Sequence, residues 1–70
     1  MIRLAIIGTG AMANTHAENF SAIRGVRLAA CGDVDAAKAR AFAATWNIPK
    51  WYANYRELLA VESLDAVAVV

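Results

Sequence analysis

Several residue types that define particular protein classes are scarce in this sequence. Its 70 residues include a single cysteine, so no internal disulfide can form, which is typical of a reducing, cytoplasmic compartment. No apolar stretch approaches the roughly 20 residues that cross a membrane. The start of the chain also lacks the charged and apolar regions of a secretory signal. These absences predict a cytoplasmic domain with no membrane partner.

An excess of charge of one sign is also lacking. The chain has seven Lys and Arg residues and six Asp and Glu residues, which gives a formal net charge of +1. The basic residues are scattered, whereas a nucleic-acid interface carries them in a cluster or stripe. No pair of His, Cys or carboxylate residues has the spacing of metal ligands. The sequence therefore predicts neither a nucleic-acid partner nor a metal site.

Apolar residues are abundant and make up 60% of the chain. This richness suits strands buried on both faces, as in parallel sheets. Apolar runs alternate with stretches of helical periodicity. The predicted elements are strands Ile2–Ile7, Val26–Cys31, Trp51–Ala53 and Leu64–Val70, and helices Ala11–Ile23, Ala36–Thr45 and a short helix that Asn54 caps and that runs through Val61. The alternation predicts an α/β fold, a Rossmann-type doubly wound parallel sheet with strand order 3-2-1-4.

The first predicted helix has one face of small and apolar residues. These residues recur at helical spacing and should face the sheet: Ala13, His16, Ala17, Phe20 and either Ile23 or Arg24. His16 is therefore interpreted as a packed, hydrogen-bonded residue and not a catalytic one. The lone thiol, Cys31, lies within an apolar strand, where cysteine is usually inert. The Trp and Tyr residues are interpreted as packing for the second and third helices.

A glycine motif joins the first strand to the first helix. Gly8 allows a sharp turn off the strand, and Gly10 allows the backbone to approach a pyrophosphate. Ala13 is small enough for the helix to pack closely on the strand. The helix that begins near Ala11 directs free N–H groups and a positive dipole end at the phosphates. Gly-x-Gly-x-x-Ala in this setting predicts a dinucleotide site.

An acidic residue follows the second strand at the distance that such a site needs. Asp33 lies 20 residues after Ala13, at the tip of the strand, where it can accept hydrogen bonds from the adenosine ribose. Its charge would repel the 2′-phosphate of NADP, and the next residue is Val34 instead of an Arg. NAD is therefore predicted over NADP. Asp33 could instead cap the loop before the second helix, although Asp35 already suits that role.

Four stretches together carry a resemblance that spans essentially the whole chain. They are Gly8-Thr9-Gly10-Ala11-Met12-Ala13 with His16, then Cys31-Gly32-Asp33-Val34-Asp35 with Ala39 and Phe42-Ala43, then Tyr52-Ala53-Asn54-Tyr55-Arg56-Glu57-Leu58-Leu59, and Leu64-Asp65-Ala66-Val67. In order and spacing they resemble the Gfo/Idh/MocA family of NAD(P)-dependent oxidoreductases, which includes glucose–fructose oxidoreductase and inositol dehydrogenase.

This resemblance implies a cofactor site and a reaction. Gly8, Thr9, Gly10, Ala11 and Met12 would form the pyrophosphate loop, Asp33 would bind the ribose, and Val34 would lie beside the adenine. The protein would transfer a hydride between the nicotinamide and a carbon of a sugar, polyol or related compound. The family's catalytic Lys belongs to a Glu-Lys-Pro motif beyond the fourth strand, so no catalytic residue is assigned in this chain.

The same resemblance bears on domain organisation and on the alternatives. Residues 1–70 are expected to be the N-terminal part of a Rossmann domain, followed by a C-terminal substrate domain. A non-catalytic nucleotide-sensing or regulatory module could use the same half-fold. A methyltransferase that binds S-adenosylmethionine shares the glycine loop and the acid, but Ala13 and the rest of the family-like sequence argue against it. The sequence leaves the substrate and the oligomeric state open, a homo-oligomer included.

Overall fold

The alternation of strands and helices is as predicted. A computed structural model describes residues 1–61 and 63–70. Its elements are β1 (Ile2–Ile7), α1 (Ala11–Ser21), β2 (Val26–Gly32), α2 (Ala36–Trp46), β3 (Lys50–Tyr52), α3 (Tyr55–Val61) and β4 (Ala66–Val69). None of the helices in these two ranges has the length and apolar character needed to cross a bilayer.

The strands of the described ranges form one parallel sheet in the order β3-β2-β1-β4. This order confirms the doubly wound Rossmann topology. The step from β1 through β2 to β3 runs in one direction along the sheet, and the step to β4 returns to the other side of β1. Since crossovers between parallel strands are right-handed, α1 and α2 cover one face of the sheet and α3 covers the other.

A bulge in β2 adjusts which side chains reach which face. Leu4 pairs with Leu28, but Ala5 pairs with Ala30, so one extra residue, Ala29, lies between the two pairs. The extra residue reverses the alternation of side chains along the strand. Leu28 consequently joins the cluster packed by α1 and α2, as does Cys31 at the far end of the strand.

The two faces differ in the size of their cores. On the side of α1 and α2, buried residues form one cluster: Leu4, Ile6, Ala13, Ala17, Leu28, Cys31, Phe42, Ala43 and Ile48. On the side of α3, Leu58 packs against Ala5 and Ala30 and is fully buried. Full burial of one leucine side chain is worth about 1.5–3 kcal/mol. Within residues 55–60 of α3, Leu58 is the residue that is buried against the sheet.

Helix α1 is shorter than predicted, and the face assigned to it is correct only in part. It ends at Ser21, and Ile23 is 50% exposed instead of facing the sheet. After the helix the N–H of Ile23 donates to the carbonyl of Phe20 at 3.1 Å, and Gly25 adopts a φ of +86°. This turn reverses the chain so that Val26 can start β2 beside β1. The early reversal lifts Ile23 away from the sheet.

Candidate functional site

The carboxyl ends of β1 and β2 lie side by side and bring the glycine loop next to the acidic residue. Ile7 pairs with Gly32, and the N–H of Gly8 donates to the carbonyl of Gly32 at 2.8 Å. The chain leaves β1 for α1 and β2 for α2 at this one edge of the sheet. In open α/β sheets, ligands bind in the crevice outside this edge.

Gly8 makes the turn off β1 in a conformation that favours glycine. Its φ is +95°, in the left-handed region. A Cβ atom at this position would also lie 2.7 Å from the carbonyl oxygen of Val70. The turn predicted for Gly8 is therefore confirmed, and the backbone that follows β4 gives it a second, steric reason.

Gly10 serves a different purpose, because its backbone is extended and open to any residue (φ −78°, ψ −166°). It precedes the first residue of α1, Ala11, as the N-cap. Among the described residues, no atom lies within 4 Å of the position that a Cβ would take. The space above Gly10 is thus open, and Ala11 and Met12 beside it are exposed. The absence of a side chain leaves room for a group outside the chain to approach the backbone.

Thr9 and Asp33 join the two loops. One carboxylate oxygen of Asp33, Oδ2, accepts the backbone N–H of Thr9 at 2.9 Å and its hydroxyl at 2.9 Å. The other oxygen, Oδ1, accepts the N–H of Asp35 at 2.8 Å. Thr9 is 7% exposed, and Asp33 is half-buried. The predicted ribose acid is thus held in a fixed orientation between the two strand tips.

These hydrogen bonds favour the ionised form of Asp33. The N–H groups of Asp35 and then of Thr9 lower the pKa of its carboxyl below the usual value of 3.8. The Thr9 hydroxyl and, more weakly, the charge of Lys38 act in the same direction, while partial burial opposes them. The site therefore presents a negative charge throughout the neutral range.

Asp35 is the N-cap of α2, as predicted. Its Oδ1 accepts the N–H groups of Ala37 at 3.0 Å and of Lys38 at 3.2 Å. Asp33 also contributes to the loop before this helix, through its bond from the N–H of Asp35. The two roles weighed for Asp33 are therefore not exclusive, because the capping of the helix itself belongs to Asp35.

A concave region of about 240 Å³ lies on the α3 side of the carboxyl edge. Its walls are Ile7, Gly8, Asp33, Val34 and Tyr55. Val34 is 90% exposed and so belongs to neither core cluster. Tyr55, which the sequence suggested as packing, is 47% exposed here. Its place at the start of the helix that follows β3, the neighbour of β2, is the signal that could have identified it.

A second concave region, of about 380 Å³, lies between the start of α1 and the side of α2 that is turned toward it. Thr9, Gly10 and Ala11 form one wall, and Lys38 lies in the other. Lys38 is the cation in this lining, and in the sequence nothing distinguishes it from the other scattered basic residues. Its place depends on the packing of α2 beside α1, where the Nε1–H of Trp46 donates to Oδ1 of Asn14 at 2.8 Å, and this packing follows from the order of the strands.

His16 and Cys31 lie outside this edge. The ring of His16 is half-buried and stacks on Phe20 at 6.2 Å between centroids, which agrees with a packing role. Cys31 is fully buried, and its Sγ donates to the carbonyl of Ala39 at 3.5 Å. Burial, and then the charge of Asp33, raises the pKa of the thiol to about 11, so it stays protonated and unreactive at neutral pH.

Comparison with known families gives a match over nearly the whole chain. Residues 2–70 match GFO_IDH_MocA, described as an oxidoreductase family with an NAD-binding Rossmann fold. No curated protein matches the chain.

Solved structures of dehydrogenases have the same fold. A probable dehydrogenase from Thermotoga maritima is 32% identical over 97% of the chain, with a TM-score of 0.88. Myo-inositol 2-dehydrogenase from Lactobacillus plantarum is 30% identical over 99% of it, also with a TM-score of 0.88. Myo-inositol dehydrogenase from Lactobacillus casei, solved with NAD(H) and myo-inositol, is 29% identical over 100% of it, with a TM-score of 0.90. The chain spans 20% of the first structure and 21% of the other two.

Proposed function

Because the chain belongs to this oxidoreductase family with an NAD-binding Rossmann fold, we propose that it is the NAD-binding part of a dehydrogenase. The single observation that carries the proposal is the joining of Thr9 to Asp33, which sets a fixed carboxylate beside an open glycine loop. A dinucleotide needs both features within one crevice: a loop for its pyrophosphate and an acceptor for its ribose.

The loop from Gly8 to Met12 is the proposed pyrophosphate site. The open space above Gly10 supports this assignment, as does the start of α1 at Ala11. The first N–H groups of a helix have no partner within the helix and carry a partial positive charge. Such N–H groups can donate hydrogen bonds to phosphate oxygens.

Asp33 is the proposed ribose ligand. Its carboxylate is ionised and can accept hydrogen bonds from ribose hydroxyl groups. The region lined by Val34 and Tyr55 would then receive the adenine side of the cofactor. Because the fixed negative charge of Asp33 would repel a 2′-phosphate, NAD is the proposed cofactor and NADP should bind more weakly.

The proposed reaction is hydride transfer between the cofactor and a sugar, polyol or related compound. Support comes from the dehydrogenases that share the fold, two of which are named for myo-inositol. A bound nicotinamide cofactor supplies the hydride acceptor or donor in such a reaction. The chain would hold and orient that cofactor. Since it spans about a fifth of these structures, we propose that it is the N-terminal part of a longer enzyme whose catalytic and substrate-binding residues lie elsewhere.

A dehydrogenase assay on the full-length protein tests this function. The protein is incubated with NAD and, in turn, with inositols, aldoses and linear polyols, and formation of NADH is followed by absorbance. We expect turnover with at least one polyhydroxylated substrate. A protein that binds NAD but reduces none of it with any substrate would contradict the enzyme proposal and favour a nucleotide-sensing module.

A further inference from the structure

We propose that Thr9 is a positioning residue that sets the orientation of Asp33 and thereby the discrimination between NAD and NADP. The inference rests on the proposed function, and it goes further by giving a side chain of the glycine loop a role in selecting the cofactor. In the motif itself, Thr9 occupies a variable position between two glycines. Its role follows from its contacts across the sheet edge.

The burial of Thr9 is the first observation. Among residues 1–60 and 63–70, Thr9 is the one polar residue that is buried. A buried hydroxyl without a hydrogen-bond partner destabilises the folded state, so the partner of Thr9 matters to the fold and to the site. That partner is Asp33 Oδ2, at 2.9 Å.

The distribution of hydrogen bonds over the carboxylate is the second observation. A carboxylate offers about four acceptor positions, two on each oxygen. Thr9 fills both positions on Oδ2 with its N–H and its hydroxyl. The N–H of Asp35 fills one position on Oδ1. One position on Oδ1 is left for a ribose hydroxyl.

Removing the hydroxyl should release the carboxylate. The last torsion of an Asp side chain is broad and opposes rotation weakly, so two N–H donors alone define its plane less firmly. A carboxylate that can turn offers a poorer acceptor to the ribose of NAD. It can also move away from a 2′-phosphate. Loss of the hydroxyl should therefore weaken the binding of NAD and reduce the repulsion between Asp33 and the 2′-phosphate of NADP. The affinities for the two dinucleotides then become more similar.

The test compares Thr9→Val, which replaces the hydroxyl by a methyl group, with Thr9→Ser, which retains it. Thr15→Val is the matched control, since Thr15 is an exposed residue of α1. Dissociation constants for NAD and NADP are measured by calorimetry on the full-length variants. The pKa of Asp33 is measured by NMR in each. Thr9→Ala removes the same hydroxyl without adding a methyl beside the carboxylate, so it must change the ratio in the same direction.

We expect Thr9→Val to reduce the ratio of the dissociation constant for NADP to that for NAD by about tenfold. This is the size of effect expected from one hydrogen bond to a charged group. The pKa of Asp33 should rise toward its usual value in this variant. Thr9→Ser and Thr15→Val should both keep the wild-type ratio. An unchanged ratio in Thr9→Val and Thr9→Ala would overturn the inference, as would a Thr9→Ser variant that behaves like them. In both cases wild-type binding of NAD leaves the proposed function standing. A folded wild-type protein that binds neither dinucleotide would instead overturn the proposed function itself.

Discussion

The carbonyl oxygen of Val70 lies 2.7 Å from the position that a Cβ atom would take on Gly8. The contact joins the first turn of the glycine loop to the backbone that follows β4, where the N–H of Val70 also donates to the carbonyl of Ile7 at 2.9 Å. The glycine is therefore needed for the packing of the sheet edge as well as for the turn. This separates the structural role of Gly8 from the ligand-related role proposed for Gly10.

Gly8→Ala should lower the free energy of unfolding by more than Gly25→Ala does. Both glycines have a positive φ, +95° and +86°, so both substitutions carry the left-handed strain of about 1–2 kcal/mol. At Gly25 no described atom lies within 4 Å of the new Cβ. At Gly8 the contact with Val70 adds a further cost of about 1–3 kcal/mol. Urea unfolding followed by circular dichroism measures both. Equal losses would show that the carbonyl of Val70 moves away without cost.

Gly10→Val should leave the fold intact and abolish dinucleotide binding. The backbone of Gly10 is extended and no described atom surrounds its Cβ position, so valine should change the free energy of unfolding by no more than about 1 kcal/mol, the cost of a poor N-cap. The isopropyl group would fill the space through which a pyrophosphate approaches. Calorimetric titration with NAD measures the loss. Retained affinity in the folded variant would remove Gly10 from the pyrophosphate loop.

Lys38→Gln should weaken the binding of NADP more than the binding of NAD. Lys38 lines the concave region beside Thr9 and Gly10, and its charge reaches Asp33, whose pKa it helps to lower. A cation there offsets part of the repulsion between Asp33 and a 2′-phosphate. We expect the affinity for NADP to fall about three- to tenfold, which is the effect of losing a partly screened ion pair. For NAD, which lacks this phosphate, we expect less than about a twofold change.

Arg40→Gln is the control for net charge, because it removes one positive charge from the exposed side of the same helix. It should change neither affinity. If Arg40→Gln reproduces the loss, the effect is a general one of charge on the protein and not one of the position of Lys38.

The sequence predicted the order of the elements, the topology of the sheet and the glycine loop, because these depend on periodicity and on local backbone requirements. It did not predict the bulge at Ala29, which follows from pairing β1 with β2. Nor did it predict the contact of Thr9 with Asp33 or the place of Tyr55 in the wall beside them. Such contacts join residues far apart in the chain, so they exist only once the order of the strands fixes which tips are neighbours. The predicted end of α1 at Ile23 is wrong for the same reason. The helix ends at Ser21 because the chain must reverse before Val26 to pair β2 with β1.

Asp33 should make the stability of the fold depend on pH in the acid range. Its pKa is lowered in the folded state, so the ionised group stabilises the fold above the usual pKa of 3.8. That stabilisation is lost as the pH falls through the lowered value, where protonation breaks the bonds from Asp35 and Thr9. The free energy of unfolding, measured in urea at a series of pH values, should fall less steeply with decreasing pH in Asp33→Asn than in the wild type. Glu18→Gln, which removes an exposed carboxylate from α1, is the comparison, and a loss that is equally steep in all three proteins would contradict the assignment.

A calorimetric titration of NAD, NADP and S-adenosylmethionine against the full-length protein and its Asp33→Ala variant tests whether this edge of the sheet is a cofactor site. The wild type should bind NAD, bind NADP about tenfold or more weakly, and not bind S-adenosylmethionine. In Asp33→Ala, NAD should bind more weakly and the gap to NADP should narrow. An unchanged ratio would remove Asp33 from the ribose site. If the folded wild-type protein binds no dinucleotide, this edge of the sheet is not a cofactor site.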